Sequence, residues 1–497
     1  MPAGRRRRVS RTAQDWRSFR ERSRAFADGG LKSTPGIVPR MVSEDVLRGS
    51  ASWLLAVLAG DVPPDDVEAG FVPRLTAGRD IRTTLARRFA RFRDHRPELA
   101  SLECVAPTRA RAVVHSGGEE WEFTIAVEAA APHRIAVFQP HLVPADAVPW
   151  SDVAGRLRDL DHRSSSLPAA IAARVRTRLL NAVTDEHIAG LCCGVVLDGA
   201  VVHREFLGTA DVRSLVPLDE ASVFRVGSVT KLVTALAVLD LVDIGVLDLS
   251  AELSRYVPSS PGGFDATVGE LLLHRSGLPK DVLGQRGTSA LPGTLADAVT
   301  RLKPAWPAGE RAEYSSLGYE LLGLLVEHVA GESFADYCAR RILPRFGMTG
   351  AQLPGPDAIA PSSVTGTEVV VGKVAAVGED VESYRFAGGM TADLPGLLAL
   401  ANAVGRADDP LVRALMMLST PAGGGARFVP GAALLDRPGG TIVWRGGSTR
   451  GFTAELMAAG DGSAAVVLLA AATPARGLRA VAEELVSGMR AGGSWVS

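Results

Sequence analysis

Ser228 and Lys231 stand three residues apart in Phe224-Arg-Val-Gly-Ser-Val-Thr-Lys231, within a chain of 497 residues. A serine hydroxyl is a weak nucleophile at neutral pH until a neighbour takes its proton. A lysine amine held away from water has a lowered pKa and can do this. On a helix, residues i and i+3 share a face, so Ser-x-x-Lys is a complete nucleophile and base in four residues. So short a pattern also recurs by chance, and its weight depends on what surrounds it.

Several elements must position the pair. The apolar run Leu232 to Val242, met by Asp240, predicts a buried helix carrying Ser228 and Lys231. Upstream, Gly190 to Leu197 and Ala200 to Gly208 are β-rich runs joined by Asp198-Gly199, a strong two-residue hairpin signal. A helix from about Leu167 to Thr184 precedes them. Downstream, Phe452 to Met457 and Ala464 to Leu469 read as strands, and Gly446-Gly447 as bare backbone that lets a ligand come close.

The pattern differs between residues 41 and 147. Helical stretches near Val42 to Ala59 and Arg79 to Arg93 are followed by β-like runs. The clearest is Trp121-Glu-Phe-Thr-Ile-Ala-Val127, where large apolar side chains alternate with polar or small ones. Ala110 to His115, turning at Gly117-Gly118, and Arg134 to Phe138 flank it. This predicts a small α+β domain with a curved antiparallel sheet, similar in pattern to cystatin-like or NTF2-like modules. The expected order is an Arg-rich tail over 1–40, the α+β domain over 41–147, a linker and first helix over 148–184, and a larger domain over 185–497.

Composition excludes several classes. The chain has 54 basic and 55 acidic residues, a net charge of −1 and 46% hydrophobic content, so no field draws it to nucleic acid or a membrane. The cysteines at 104, 192, 193 and 338 have no CxxC or Cys/His spacing, which predicts reduced core thiols and neither disulfide framework nor zinc site. Arg5 to Arg8 is followed by polar residues where a secretory signal needs an apolar stretch. No other apolar run is long enough for a bilayer. The expectation is a soluble, cytoplasmic protein. Ser228 lacks a nucleophile elbow, since Val226 and Thr230 occupy its glycine positions. No His-Glu-x-x-His, phosphate-binding loop or dinucleotide fingerprint is found, so no metal and no cofactor is implied.

Further blocks follow in order. They are Leu271-Leu-Leu-His-Arg-Ser-Gly-Leu-Pro279, Glu313-Tyr-Ser-Ser-Leu-Gly-Tyr-Glu-Leu-Leu-Gly323 with Gly331-Glu-Ser-Phe334 and Phe346-Gly-Met348, Ala387-Gly-Gly-Met-Thr-Ala392, and Arg445-Gly-Gly-Ser-Thr-Arg-Gly-Phe452. With the Ser228 block, the segment from about Asp185 to Val486 resembles the serine β-lactamase and penicillin-binding-protein-like superfamily, in its class C, esterase and D-peptidase branch. The resemblance implies an α+β fold of the β-lactamase/transpeptidase type, an antiparallel sheet flanked by helices with a helical lobe and an active site between them. It implies Ser228 as nucleophile, Lys231 as the base that receives or relays its proton, and Tyr314 beside both, helping to deprotonate the serine and protonating the leaving group. It also implies an oxyanion site of the backbone N–H groups of Ser228 and Ser448, and substrate contacts at Ser316, Arg445, Gly446 and Gly447. His274 is expected to brace a loop.

Two positions depart from the penicillin-handling pattern. Ser316 stands where those relatives carry an asparagine whose amide holds the substrate's amide, and Arg445 stands where they carry Lys or His. Arg445 keeps a charge with a fixed fork for a carboxylate or phosphate, or forms a structural ion pair. The expected function is therefore a serine hydrolase that cleaves a small ester, or an amide, through an acyl-serine. The alternatives are an acyltransferase with the same intermediate, a β-lactamase or D-peptidase, and a catalytically silent descendant that binds a ligand or partner.

Overall fold

The computed structural model describes residues 42–76, 83, 85, 87, 89–256, 266–279, 304–355, 360–377, 384–473 and 475–490. The expected tail over 1–40 lies outside the described residues, as does part of the expected helix Arg79 to Arg93. The chain divides into two compact units, the first ending at Ala147 and the second beginning at Val148.

In the first unit, helix α1 (Glu44–Ala59) starts at Ser43, whose hydroxyl accepts from Val46 N–H. Its buried Leu47, Ala51, Leu54 and Leu58 recur at helical spacing and form one face. Strands β1 (Glu98–Ala106), β2 (Arg109–Ser116), β3 (Glu119–Val127) and β4 (Ile135–Leu142) form an antiparallel meander in chain order. Trp121, Phe123 and Ile125 of β3 join Leu47, Leu54 and Phe92 in one apolar cluster.

The second unit is built on an antiparallel sheet. Its edge strand is β5 (His162–Ser165); helix α2 (Ala169–Glu186) and the hairpin β6 (Gly190–Leu197) and β7 (Ala200–Asp211) follow. The hairpin turns at Asp198 and Gly199, both at positive φ (48° and 85°), as a tight two-residue turn requires. Next come the short strand β8 (Phe224–Arg225), helices α3 (Thr230–Asp243) and α4 (Ser316–Ala330), the short strand β9 (Thr391–Ala392) and helix α5 (Leu394–Arg406). The chain returns to the sheet with β10 (Thr420–Gly423), β11 (Ala426–Val429), β12 (Ala432–Arg437), β13 (Gly440–Thr449), β14 (Phe452–Ala459) and β15 (Ala464–Ala470), then closes with helix α6 (Leu478–Met489). The spatial order is β10-β11-β12-β13-β14-β15-β6-β7-β5.

This sheet is buried on both faces. Along β15, Val467 and Leu469 join α3, α4 and α5 in one core, whereas Val466, Leu468 and Ala470 join α2 and α6 in another. The adjacent cysteines divide likewise, Cys192 to the first core and Cys193 to the second. A strand apolar on both sides reads as a continuous run. Helix α3 is enclosed almost all round, and its buried Asp240 is met by Tyr337, Arg341 and Arg345.

Two expectations are corrected. Cys104 is exposed on β1, so the thiols are not all in a core. The stretch 148–170 is no free connection, because it holds a helix at Trp150–Arg158 and the edge strand β5. All four β5 residues are exposed, so no apolar alternation marked them. Among the described residues no helix is long and apolar enough to cross a membrane.

Candidate active site

Ser228 lies in a single 3-10 turn, Gly227–Val229, and Lys231 in the first turn of α3. The turn runs straight into α3 through Val229 and Thr230, both in helical conformation, so one helical segment carries both residues as expected; it starts at Gly227, whose φ is +50°. Thr230 pins this turn, donating to the Gly227 carbonyl at 2.7 Å and accepting from Met390 N–H at 3.1 Å.

Lys231 is wholly buried. Its Nζ donates to Ser228 Oγ at 3.2 Å, to Ser316 Oγ at 3.2 Å and to the Ala387 carbonyl at 2.7 Å. Burial lowers its pKa, a neighbouring Tyr314 opposes this, and the Arg445 charge lowers it further. Tyr314 arrives from the loop before α4, with its phenol oxygen 2.8 Å from Ser228 Oγ. Burial would raise its pKa, but the positive charges of Arg445 and Lys231, with hydrogen bonds to its oxygen, bring it down to about 7.

Strand β13 completes the site. Its pairing with β12 ends at Ala433 opposite Trp444, so Arg445 to Thr449 extend past that neighbour, with a free edge beside the Ser228 turn. The approach is close enough that a Cβ on Gly447 would sit 2.0 Å from the Val226 carbonyl oxygen and 3.1 Å from Ser228 N. This brings the backbone of Gly447-Ser448 alongside Ser228. Arg445 donates through Nη2 to the Tyr314 oxygen at 3.1 Å and through Nε to the Gly446 carbonyl at 2.9 Å. Among the described residues it pairs with no carboxylate. Of the residues singled out from sequence, Ser228, Lys231, Tyr314, Ser316 and Arg445 are joined by hydrogen bonds, and Gly446, Gly447 and Ser448 border them. Ser316 turns its hydroxyl to Lys231.

His274 supports this group from behind. Its Nδ1 accepts the Ser315 N–H at 3.1 Å, which assigns its proton to Nε2. Its ring packs 4.7 Å from that of Tyr314 and 4.9 Å from that of Phe428, centroid to centroid. Burial, with the charges of Lys231 and Arg445, keeps it neutral.

Two residues escaped the sequence reading. Tyr319, buried in α4, donates to the Leu272 carbonyl at 2.8 Å and accepts from Gly431 N–H at 2.6 Å. Glu320, beside it, accepts from Phe386 N–H at 2.8 Å and Ala387 N–H at 2.7 Å. The available signal was a lone carboxylate inside the apolar run Leu317 to Val326.

An α+β fold whose antiparallel sheet offers a free strand edge to a buried lysine and a half-buried serine and tyrosine defines a class of serine hydrolases. The chain belongs to the Beta-lactamase family, whose model matches residues 171–487. Protein flp of Staphylococcus aureus (strain COL) is 29% identical over 175 residues, covering 33% of this chain and 34% of flp. Penicillin-binding protein 4 of Amycolatopsis lactamdurans is 31% identical over 172 residues, covering 33% of this chain and 45% of the relative. The chain thus matches a third to under a half of the length of these curated relatives. Among solved structures, a class C β-lactamase superposes with a TM-score of 0.57 at 19% identity, covering 66% of this chain and 99% of that one. The octameric penicillin-binding protein homologue from Pyrococcus abyssi gives 0.54 at 22% identity, covering 61% and 74%. At these identities the likeness is one of fold.

Proposed function

We propose that this protein cleaves a small ester, or an amide, through an acyl group carried on Ser228. The observation that carries the reading is the contact of Ser228 Oγ with both the Tyr314 oxygen at 2.8 Å and Lys231 Nζ at 3.2 Å. Ser228 Oγ attacks the carbonyl carbon while its proton passes to the Tyr314 oxygen, which the charges of Lys231 and Arg445 keep ready as phenolate. The negative charge forming on the carbonyl oxygen is received by the backbone N–H groups of Ser228 and Ser448. Tyr314 then gives its proton to the departing oxygen or nitrogen. Water repeats the sequence on the acyl-serine, its proton passing through Tyr314 back to Ser228.

Ser316, Arg445, Gly446 and Gly447 are the proposed substrate contacts. An ester is favoured because its leaving group needs less protonation. The Ser316 hydroxyl, engaged by Lys231, offers no amide to a peptide-like substrate. The cytoplasm is the proposed place of work, tested by fractionating the native source with an antibody against the chain.

The experiment is intact-mass analysis after exposure to an activated short-chain ester, a β-lactam and a fluorophosphonate, beside the Ser228→Ala variant. An adduct mapped to Ser228, with ester turnover lost in the variant, supports the reading. Folded protein that takes no adduct from any of the reagents rejects it in favour of a binding role.

A further inference from the structure

Glu320 is a buried carboxylate, 3% exposed, for which the acyl-serine reading has no use. It lies four residues beyond Ser316 on α4, so both side chains face α3 and the short helix Arg385–Gly388. Its Oε1 accepts the N–H groups of both Phe386 and Ala387. The carbonyl of that same Ala387 accepts Lys231 Nζ at 2.7 Å, shorter than the 3.2 Å from the amine to Ser228 or Ser316. One turn along α3, Thr234 Oγ1 donates to the Phe386 carbonyl at 2.6 Å. Glu320 thus holds the N–H of the residue whose carbonyl holds the lysine.

The surrounding charges make the carboxylate felt at Lys231. From α3, Lys231 itself faces it. From the short helix, Arg385 directs its guanidinium to Glu327, at 2.9 Å. Around the amine stand Tyr314, the neutral His274 and Arg445. Burial pushes the Glu320 carboxyl up to about 7, against the pull of the N–H groups and of Lys231.

We propose that Glu320 is the positioning residue for Lys231, anchoring through the Phe386 and Ala387 N–H groups the residue whose carbonyl receives the amine, and presenting to that amine a buried negative charge. The proposal rests on the acyl-Ser228 reading. The sign follows from electrostatics. An ionised Glu320 favours protonated Lys231 and protonated Tyr314, so removing its charge lets both release protons at lower pH.

The test is the rate of fluorophosphonate labelling of Ser228 against pH, read by intact mass on the full chain. It compares the wild type with Glu320→Gln and Glu320→Asp, and thermal unfolding confirms that each is folded. Gln keeps the shape and an acceptor but loses the charge, so the acid limb of the profile should move to lower pH by about half a unit or more. Asp keeps the charge but loses reach to the Phe386–Ala387 peptide, so its limb should stay near that of the wild type while the maximal rate falls about tenfold. Profiles and rates that superimpose on the wild type overturn the role of Glu320 and leave the acyl-serine reading intact. Folded wild type that is never labelled at Ser228 ends both. If the Gln variant does not fold, the Asp variant decides alone, and an unchanged rate overturns the proposal.

Discussion

Arg445 donates to the phenol oxygen of Tyr314 at 3.1 Å, bringing together residues 131 positions apart, and its guanidinium carbon lies 5.3 Å from the centre of the tyrosine ring. The arginine therefore acts on the oxygen that contacts Ser228. After the opposing effect of burial, its charge is the largest influence on that phenol.

Replacing Arg445 should change the pH dependence in a known direction. A nearby positive charge favours phenolate, so Arg445→Ala should raise the Tyr314 pKa from about 7 towards its ordinary value. If phenolate is the active form, the acid limb of kcat/KM for an activated ester moves to higher pH by about one unit or more. Arg445→Lys keeps a charge without the fork and should move it less. Phenolate absorbance titration, compared with a Tyr314→Phe control, reads the same shift. An unmoved limb in the Ala variant would exclude Tyr314 as the proton acceptor.

Lys231→Met should fold, since the new side chain fills most of the same buried volume. Acylation should fall on the order of a thousandfold, because the amine that holds and charges the Ser228–Tyr314 pair is gone. Single-turnover measurement with an activated ester separates this step from hydrolysis. A loss smaller than tenfold would show that the amine does not activate the Ser228–Tyr314 pair.

Gly447→Ala tests the strand edge. Its Cβ would lie 2.0 Å from the Val226 carbonyl oxygen, so β13 and the Ser228 turn must separate. Loss of the oxyanion contacts should slow acylation roughly a hundredfold or more. Full activity in the folded variant would place the oxyanion contacts elsewhere.

Asp240→Ala tests stability away from the chemistry. The carboxylate is 1% exposed and accepts Tyr337 OH at 2.5 Å, with Arg341 and Arg345 beside it. Removing it strands these donors and should cost about 3 kcal/mol, read from denaturant midpoints. Activity of the folded fraction should stay within a few-fold of the wild type. An unchanged midpoint would show that solvent replaces the carboxylate.

Much of the second unit was legible. The Asp198-Gly199 turn, the apolar runs of β14 and β15 and the buried helix after Ser228 are local patterns set by side-chain period and backbone preference. The edge strand β5 was not, because His162-Arg-Ser-Ser165 buries nothing and is held by its pairing with β7. Glu320 was missed for a related reason: its partners are backbone N–H groups, which every residue except proline possesses and which no spacing can announce.

The sequence by itself determined the pairing of Ser228 with Lys231, the proposed nucleophile and the amine that serves it. They are three residues apart, and one turn of chain brings them together whatever the rest does. It also determined the ordered blocks that mark the family. Only the tertiary structure decided what that pair becomes. Tyr314 and Arg445 reach Ser228 from separate elements, and the free edge of β13 exists because β12 ends early. Burial lowers the pKa of Lys231, and the converging charges of Arg445 and Lys231 lower that of Tyr314 against the effect of burial. Both depend on what surrounds a group in space, which no stretch of neighbouring residues encodes.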